Sequence, residues 1–370
     1  MKPGIPHHKI GAQHYGVTGF TLIELLVVVA VLSAASLMAF GAFTEDRIQI
    51  RYDETRTRLS VLRRSVLGLF APSTVAVASG FIADNGDLPS DLATLMQKGT
   101  LLAQGVQTPV FDTQPDAPSC ANNGGEYTNP FGATPDANAL LVKGHRGDYL
   151  GGMAFNGHFR DGWGNVDPTP SVDTLNSGWN VSNSAGTLSI TSLGTDNATG
   201  GTEFAADIKQ TITPTDWLIP LQGWTVTVSN ISGSDINITK KLSVSLLVFH
   251  NTSSGGEWRR YSAPIVSTVC LDGNGNGTVD HDGDLGVTTP EITCPTKLSF
   301  SFAANCKAGD GSSGPTSIPQ GRHLLLVTSH AGSTLWDGSD SPFWTPGKQA
   351  LLRIDAVAGM PLTEAQLVLR

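Results

Sequence analysis

Residues 20–43 read FTLIELLVVVAVLSAASLMAFGAF, and this stretch decides the predicted fold. The 19 residues that follow Glu24 carry no charge, which is long enough for a helix to cross a bilayer. We therefore predict a transmembrane segment over residues 21–43. A polar, weakly basic segment comes before it and ends at Gly19. A secretory signal peptide has the opposite order, because its cleavage site follows the apolar run.

Glu24 is the only charged residue in this stretch. An ionised carboxylate in an apolar membrane helix costs about 2–3 kcal/mol even on lenient insertion scales. The sequence therefore predicts a partner charge for Glu24. The alternative is a signal anchor in which Glu24 lies near the cytoplasmic end and extends to the membrane interface.

Residues 19–24, GFTLIE, resemble the class III signal of type IV pilins and of type II secretion pseudopilins. The resemblance implies that prepilin peptidase cuts between Gly19 and Phe20 and that the new Phe20 amine is N-methylated. The apolar helix then stays with the mature protein. The resemblance also implies that Glu24, the fifth residue of the mature chain, pairs with the Phe20 amine of an adjacent subunit.

Apolar residues continue at helical spacing beyond residue 43, with arginines at much of the remaining surface. This pattern predicts one buried stripe on a helix, and Pro72 fits a stop shortly after it. The resemblance implies one long helix over residues 20–70, whose second half lies under a globular head. The stripe consists of Ile48, Tyr52, Leu59, Leu62, Val66 and Leu69.

Two short motifs after the helix resemble elements of major pseudopilins. In the first, Ser90 is expected to cap a short helix over residues 91–98, and Gly99 to end it. The second, FRDGWGN at 159–165, resembles their D-x-W-G-N turn. In this turn we expect the glycines to allow the tight backbone conformation and Trp163 to pack on the surface of the sheet.

The rest of the chain is predicted to be rich in β-strands. Alternating or β-branched runs are separated by Gly, Asn, Ser and Asp, which indicates strands and turns. These runs are 187–193, 224–231, 242–250, 264–270, 297–302, 324–328 and 350–354.

The predicted fold class is α+β, with a long N-terminal transmembrane and amphipathic helix and a large β-rich head. Within the head we expect a pilin-like sheet that carries a β-sandwich-like insertion. The expected regions are a leader at 1–19, the pilin helix at 20–70, a pilin-like α/β region at 71–180 and the β-rich head at 181–370.

Oxygen-bearing side chains occupy alternate positions at the start of residues 272–284, DGNGNGTVDHDGD. This spacing matches the first nine places of a calcium loop, and it resembles the loops of EF-hands and dockerins. The twelfth place is Gly283 where those loops carry an acid. The alternative is a solvated Asn-Gly turn without an ion. We expect Ca²⁺ to be bound by Asp272, Asn274, Asn276, Asp280, Asp282 and Asp284.

The four cysteines are Cys120, Cys270, Cys294 and Cys306, an even number that predicts one or two disulfides in an exported chain. Cys270 and Cys294 bracket the predicted calcium loop, so one hypothesis pairs them. The other pairings stay open.

Charge and motifs exclude two classes of function. The formal net charge is -9, and residues 68–370 alone sum to about -12, which argues against a nucleic-acid partner. No nucleophile elbow, P-loop or dinucleotide fingerprint is present, so we do not expect an enzyme.

The resemblance implies a structural subunit of a type IV pilus or of a type II secretion pseudopilus. Its expected partners are other pilins, prepilin peptidase, the assembly platform of the inner membrane and the membrane itself. It is expected in the bacterial inner membrane, with the head in the periplasm, and then in a pilus or pseudopilus. The alternative is a minor or tip pilin whose β head binds a surface or substrate.

Overall fold

The computed structural model describes about two thirds of the chain, and the side chains of residues 37–45 are not part of that description. The cleavage site Gly19–Phe20 lies outside the described residues. The chain divides into two compact units, Met1–Arg51 and Tyr52–Arg370. The described residues are 21–68, 79–107, 140–231, 233, 236–263, 266–272, 275, 278–279, 292–293, 295–302, 306–307, 317–328 and 351–369.

The first helix contributes to both units, and the other helices of the described residues are short. The helices are α1 (Leu22–Leu67), α2 (Phe81–Asn85), α3 (Pro170–Asn176) and α4 (Pro214–Trp217). Helices α3 and α4 each begin with a proline in the first turn, where the missing N–H has no intrahelical partner to lose.

The predicted transmembrane segment 21–43 is wrong for the part of the chain that the structure describes. No helix there is both long enough and apolar enough to cross a membrane.

The body of the protein is a set of mostly antiparallel sheets. The described strands are β1 (Gly105–Gln107), β2 (Leu141–Lys143), β3 (Asn180–Ser184), β4 (Thr187–Ser192), β5 (Ile208–Ile212), β6 (Leu218–Pro220), β7 (Thr225–Asn230), β8 (Ile236–Thr252), β9 (Gly255–Ser262), β10 (Val266–Leu271), β11 (Thr278–Val279), β12 (Ile292–Thr293), β13 (Lys297–Ser301), β14 (Cys306–Lys307), β15 (Ser317–Pro319), β16 (Gly321–Thr328), β17 (Leu351–Ala356) and β18 (Ala365–Leu369).

Strand β8 organises the largest described sheet, whose order is β14-β9-β8-β16-β17 with β10 also on β8. Its consecutive residues 244–250 are all buried, which means that both faces of β8 are covered. Two three-stranded sheets, β13-β7-β18 and β3-β4-β5, lie outside it. Strand β18 runs parallel to β7.

This arrangement corrects the predicted pilin-like sheet with a β-sandwich-like insertion. The long strand β8 pairs with β10 through its first half and with β9 through its second half, so these strands of the predicted head belong to one sheet centred on β8. The apolar residues of β7, β8 and β16 consequently share one core with Trp224 and Phe302.

A second core forms where the C-terminal half of α1 packs within the body. Leu59, Leu62 and Val66 of the predicted stripe are fully buried there. They pack with Phe81, Trp179 and the apolar residues of β4 and β5. The stripe prediction is confirmed at these three positions, whereas Leu69 lies outside the described residues.

The two short motifs fold differently from the prediction. In place of a helix over 91–98, the structure has a single 3₁₀ turn at Ala93–Leu95. Leu92 is at its N-cap position, and the Oδ1 atom of Asp91, not a Ser90 atom, accepts a hydrogen bond from Thr94 N at 2.9 Å. Trp163 is half-buried. The tryptophan at the centre of this core is Trp179, whose Nε1 donates to Phe159 O at 2.6 Å.

Candidate assembly helix and the polar sites of the body

Helix α1 begins with a capping box formed by Thr21 and Glu24. Thr21 N and Thr21 Oγ1 both donate to Glu24 Oε2 at 2.9 Å, and Glu24 N donates to Thr21 Oγ1 at 3.3 Å. These hydrogen bonds from Thr21 lower the pKa of Glu24, so the carboxylate stays ionised. The signature Thr-x-x-Glu was present in the sequence and identifies this role of Glu24.

The described residues after the capping box carry apolar side chains around the whole circumference of the helix. Val31 is 62% exposed, and even the most covered of the large apolar side chains, Val28, is 51% exposed. Ser33 and Ser36 add little polarity to this surface, because each hydroxyl donates a hydrogen bond to the carbonyl oxygen one turn back, at 2.7 Å. A helix that is apolar on all sides is normally covered by other protein or by lipid.

Within the body, the last turns of α1 hold the turn at 159–165. Thr55 is fully buried, and its Oγ1 accepts a hydrogen bond from Gly162 N at 3.0 Å. Arg58 Nη1 donates to Arg160 O at 2.7 Å. Thr55 falls on the same helical stripe as Leu59 and Leu62. The predicted stripe was based on apolar residues, so it did not include Thr55.

Asp161 is the buried centre of this turn. Its Oδ1 accepts a hydrogen bond from Asn165 N at 3.0 Å, and its Oδ2 accepts from Asn165 Nδ2 at 2.9 Å and from Ser192 Oγ at 2.6 Å. The residues of the predicted D-x-W-G-N motif therefore form a hydrogen-bonded unit that also reaches β4. Its aspartate and asparagine are structural, since each ties backbone segments together.

An ion pair fixes the next segment to this turn. Both Arg160 amino groups donate to Asp173 on α3, at 2.8 and 2.7 Å, and Nη1 also donates to Asn165 O at 2.7 Å. The hydrogen bonds from Arg160 lower the pKa of Asp173 to about 2. Both side chains are largely covered, so this pair is better shielded from solvent than an ordinary surface ion pair.

The sequence reasoning missed a buried lysine. Lys143 is 2% exposed, and its Nζ donates to Ala83 O at 2.8 Å. Burial lowers its pKa to about 8, with charged neighbours Asp84, Arg322 and Asp355 adding smaller effects. Strand β2 buries Leu141 and Lys143 and exposes Val142, so the alternation was present but too short to recognise.

Further side-chain hydrogen bonds stabilise the same region. Tyr149 donates to Asp84 Oδ2 at 3.1 Å, and Asn251 Nδ2 donates to Asn85 Oδ1 at 2.7 Å. His323 is fully buried with Nε2 at 2.8 Å from Pro319 O, and burial lowers its pKa to about 3. His323 is thus a neutral residue of the buried region.

The predicted calcium loop lies mostly outside the described residues. Asp272 is buried, and its Oδ1 accepts a hydrogen bond from Gly275 N at 2.6 Å. The short β11–β12 ladder closes the loop further along. Among the described side chains, no group of three or more His, Cys, Asp or Glu residues is arranged to hold a metal ion. The predicted ligands outside the described residues are Asn274, Asn276, Asp280, Asp282 and Asp284.

Calcium binding therefore stays a prediction, which calorimetric titration with Ca²⁺ tests. The same holds for the predicted disulfides. Cys120 and Cys294 lie outside the described residues, and the side chains of Cys270 and Cys306 do too, although their backbones belong to β10 and β14.

We compared the chain with protein-family models, with curated proteins and with solved structures. None of the three comparisons finds a match.

Proposed function

We propose that this chain is a structural subunit of a pilin-like filament, either a type IV pilus or a type II secretion pseudopilus. In this proposal prepilin peptidase removes residues 1–19, and the mature chain assembles through the N-terminal part of α1. The observation that carries the proposal is the exposure of Leu22 and its apolar neighbours around the whole helix, with Glu24 as their single charge.

Assembly into a filament accounts for that exposed apolar surface. Burying it against identical helices of neighbouring subunits removes it from water, at about 25 cal/mol for each Å² of apolar surface covered. Many subunits packed side by side cover every face of a helix, whereas one partner covers one face.

The charge of the ionised Glu24 would favour one register in the packing of neighbouring helices. Cleavage after Gly19 would create a new positive amine on Phe20, and a neighbouring Glu24 would lie among apolar helices where an unpaired charge is costly. An arrangement that brings the two charges together is therefore favoured over other registers. In this proposal the assembly platform inserts the helix into the growing filament in the register that pairs the two charges.

Mass spectrometry of native cells tests this proposal. Material sheared from the cell surface and the membrane fraction are digested with trypsin, and both are searched for the peptide 20–47 with a methylated N-terminus. This peptide has no internal Lys or Arg. Its presence in the sheared fraction supports a pilus, and its presence in the membrane fraction alone supports a short pseudopilus. A chain that keeps Met1 and residues 2–19 would contradict the proposal.

The size of the body favours a minor or tip subunit as a second candidate. A unit that runs from Tyr52 to Arg370 is large for a subunit that must pack closely along a shaft. An open cleft of about 570 Å³, lined by Phe81, Leu88 and several hydroxyl and amide side chains, would suit a bound ligand. Quantitative proteomics of sheared filaments separates the two, because a shaft subunit is abundant and a tip subunit is rare.

A further inference from the structure

The open cleft of about 570 Å³ is built from segments that are far apart in the sequence. The 3₁₀ turn Ala93–Leu95 and its neighbours contribute to the lining, and strand β3 contributes Asn183. The end of β8 and the turn after it add Thr252 and Ser253. A cleft of this volume is large enough for a small organic ligand.

Hydrogen bonds between these segments hold the cleft in shape. Asn251 Nδ2 donates to Asn85 Oδ1 at 2.7 Å and to Leu102 O at 2.9 Å, while its Oδ1 accepts from Leu102 N at 2.8 Å. Asn183 Nδ2 donates to Pro89 O at 3.1 Å. The cleft is therefore formed before a ligand arrives, so binding costs little conformational entropy.

Gly86 places the first acidic residue of the cleft. Its φ is 76°, and a Cβ at this position would lie 1.9 Å from Phe249 O, so only glycine allows the chain to lie this close to β8. Asp87 follows directly, and its Oδ1 accepts a hydrogen bond from Leu88 N at 2.7 Å. The direction of this carboxylate is thus set by the backbone beside it.

The charged side chains that line the cleft are Asp87 and Asp91. Among the described residues of the lining there is no Lys, Arg or His. Arg259 also lies outside the lining, and it pairs with Glu257. An ionised carboxylate only accepts hydrogen bonds, and two of them repel an anion. The cleft therefore suits a ligand that donates hydrogen bonds and carries no negative charge.

Asp91 is fixed as firmly as Asp87. Its Oδ1 accepts a hydrogen bond from Thr94 N at 2.9 Å, and its Oδ2 accepts from Ser90 Oγ at 2.9 Å. Each carboxylate oxygen has a second lone pair, so these contacts leave acceptor positions for a ligand. Asp87 is exposed and Asp91 is half-buried, so a ligand in the cleft can reach both.

The other polar side chains of the lining are hydroxyls and amides, among them Gln97 and Thr100. Such groups both donate and accept hydrogen bonds. Apolar side chains lie among them, including Leu175, which is 45% exposed. An apolar ligand would leave the polar groups unpaired, and a small cation would use only the carboxylates. A sugar ring carries hydroxyls around its edge and C–H groups on its faces, so it matches the whole lining.

We propose that this cleft binds a neutral oligosaccharide. Sugar hydroxyls donate to Asp87 and Asp91 and exchange hydrogen bonds with Gln97, Thr100 and the neighbouring hydroxyl and amide side chains, while a C–H face of the ring packs on Leu175. The inference rests on the second proposed function, because it names the class of ligand that a minor or tip subunit would hold.

An array of neutral, acidic and basic oligosaccharides tests the ligand class. The full chain is purified in a detergent without a sugar headgroup, so that the detergent does not compete for the cleft. We expect neutral oligosaccharides to bind at least tenfold more tightly than acidic ones, because the carboxylates repel anions. An array without binding to neutral members, or with equal binding to acidic ones, would overturn the inference.

Variants of the full chain locate the binding site by calorimetric titration with the neutral oligosaccharide that binds most tightly on the array. We expect Asp87→Ala to weaken binding about tenfold or more, as the loss of a hydrogen bond to a charged group does. Gln97→Ala removes an exposed amide and should weaken it about threefold. The matched control is Asp207→Ala, since Asp207 is also exposed and also accepts one backbone hydrogen bond. Unchanged affinity in both cleft variants would place the sugar elsewhere.

Two further readouts keep this inference separate from the proposed function. None of the three variants should lower the melting temperature by more than about 4 °C, so a change in affinity is not a loss of fold. If the chain is rare in sheared filaments and binds no neutral sugar, the cleft inference fails and the tip role stands. If the chain is as abundant as a shaft subunit and binds neutral sugars through Asp87, the cleft inference stands and the tip role fails.

Discussion

At the scale of single residues, a suitable substitution separates the capping role of Glu24 from its proposed charge-pairing role. Glutamine also accepts the hydrogen bonds of a capping box, so Glu24→Gln keeps the helix start and removes only the charge. We expect this variant to be cleaved normally and to assemble poorly, because the Phe20 amine of its neighbour then lacks a counter-charge. The measurement compares the amount of mature chain in the membrane fraction with the amount in sheared filaments.

The matched control for this prediction is Thr21→Val, which removes the hydroxyl of the capping box and keeps the charge of Glu24. It should destabilise the helix start by about 1 kcal/mol and leave assembly nearly normal. If Glu24→Gln assembles like the parent and Thr21→Val does not, then Glu24 acts through capping and the charge-pairing account is wrong.

Lys143 predicts a pH dependence of stability. Its pKa of about 8 in the fold lies below its ordinary value of 10.5, so the unfolded chain binds the proton more tightly. Stability therefore rises as the pH increases from 8 to 10.5, and the penalty is complete below pH 8. The full difference corresponds to about 3 kcal/mol.

Urea unfolding at pH 7 and at pH 10 measures this effect. We expect the parent chain to gain stability relative to Lys143→Met over that range, while the exposed-site control Lys209→Met follows the parent. An equal difference between parent and Lys143→Met at both pH values would show that the lysine keeps its ordinary pKa in the fold.

At the scale of structural elements, the ion pair between Arg160 and Asp173 connects the turn at 159–165 to α3. We expect Asp173→Asn to destabilise the body by about 1–3 kcal/mol, since it leaves a largely covered guanidinium without its carboxylate. The pair Arg259–Glu257 is more exposed, so Glu257→Gln should cost less than about 1 kcal/mol. Thermal unfolding of both variants measures the two losses of stability. Equal losses would mean that the Arg160–Asp173 pair stabilises the body no more than an exposed ion pair does.

The same element scale shows what the sequence could predict. The buried stripe of α1 could be predicted at Leu59, Leu62 and Val66, because apolar residues at helical spacing indicate the buried face of a helix. Strands such as β4 and β7 could be predicted from their β-branched residues. Strand β9, with the sequence GGEWRRYS, was missed, because its glycines and charges do not resemble a strand until β8 pairs with it.

The missed polar residues have a common physical reason. Lys143 and Thr55 are buried because a specific backbone group, Ala83 O or Gly162 N, is placed within hydrogen-bond distance by a distant part of the chain. Composition and periodicity record local preferences, and these two contacts depend on tertiary structure. Glu24 shows the opposite case, since its partner Thr21 is three residues away and could be predicted.

At the scale of the whole molecule, the two compact units predict that the body folds without the first part of α1. The buried residues among the described side chains of α1 all belong to the unit Tyr52–Arg370, and they are Thr55, Leu59, Leu62, Ser65, Val66 and Leu67. We therefore expect a fragment of residues 45–370 to unfold cooperatively, with a melting temperature within about 4 °C of the full chain, a difference below about 1 kcal/mol.

The same fragment should lose filament formation completely, because it lacks the exposed apolar residues around Leu22 and the charge of Glu24. Differential scanning calorimetry and electron microscopy provide the two readouts. A fragment that unfolds without a cooperative transition would mean that residues before 45 stabilise the body. A fragment that still builds filaments would place the assembly surface in the body, and the apolar part of α1 would then need another explanation.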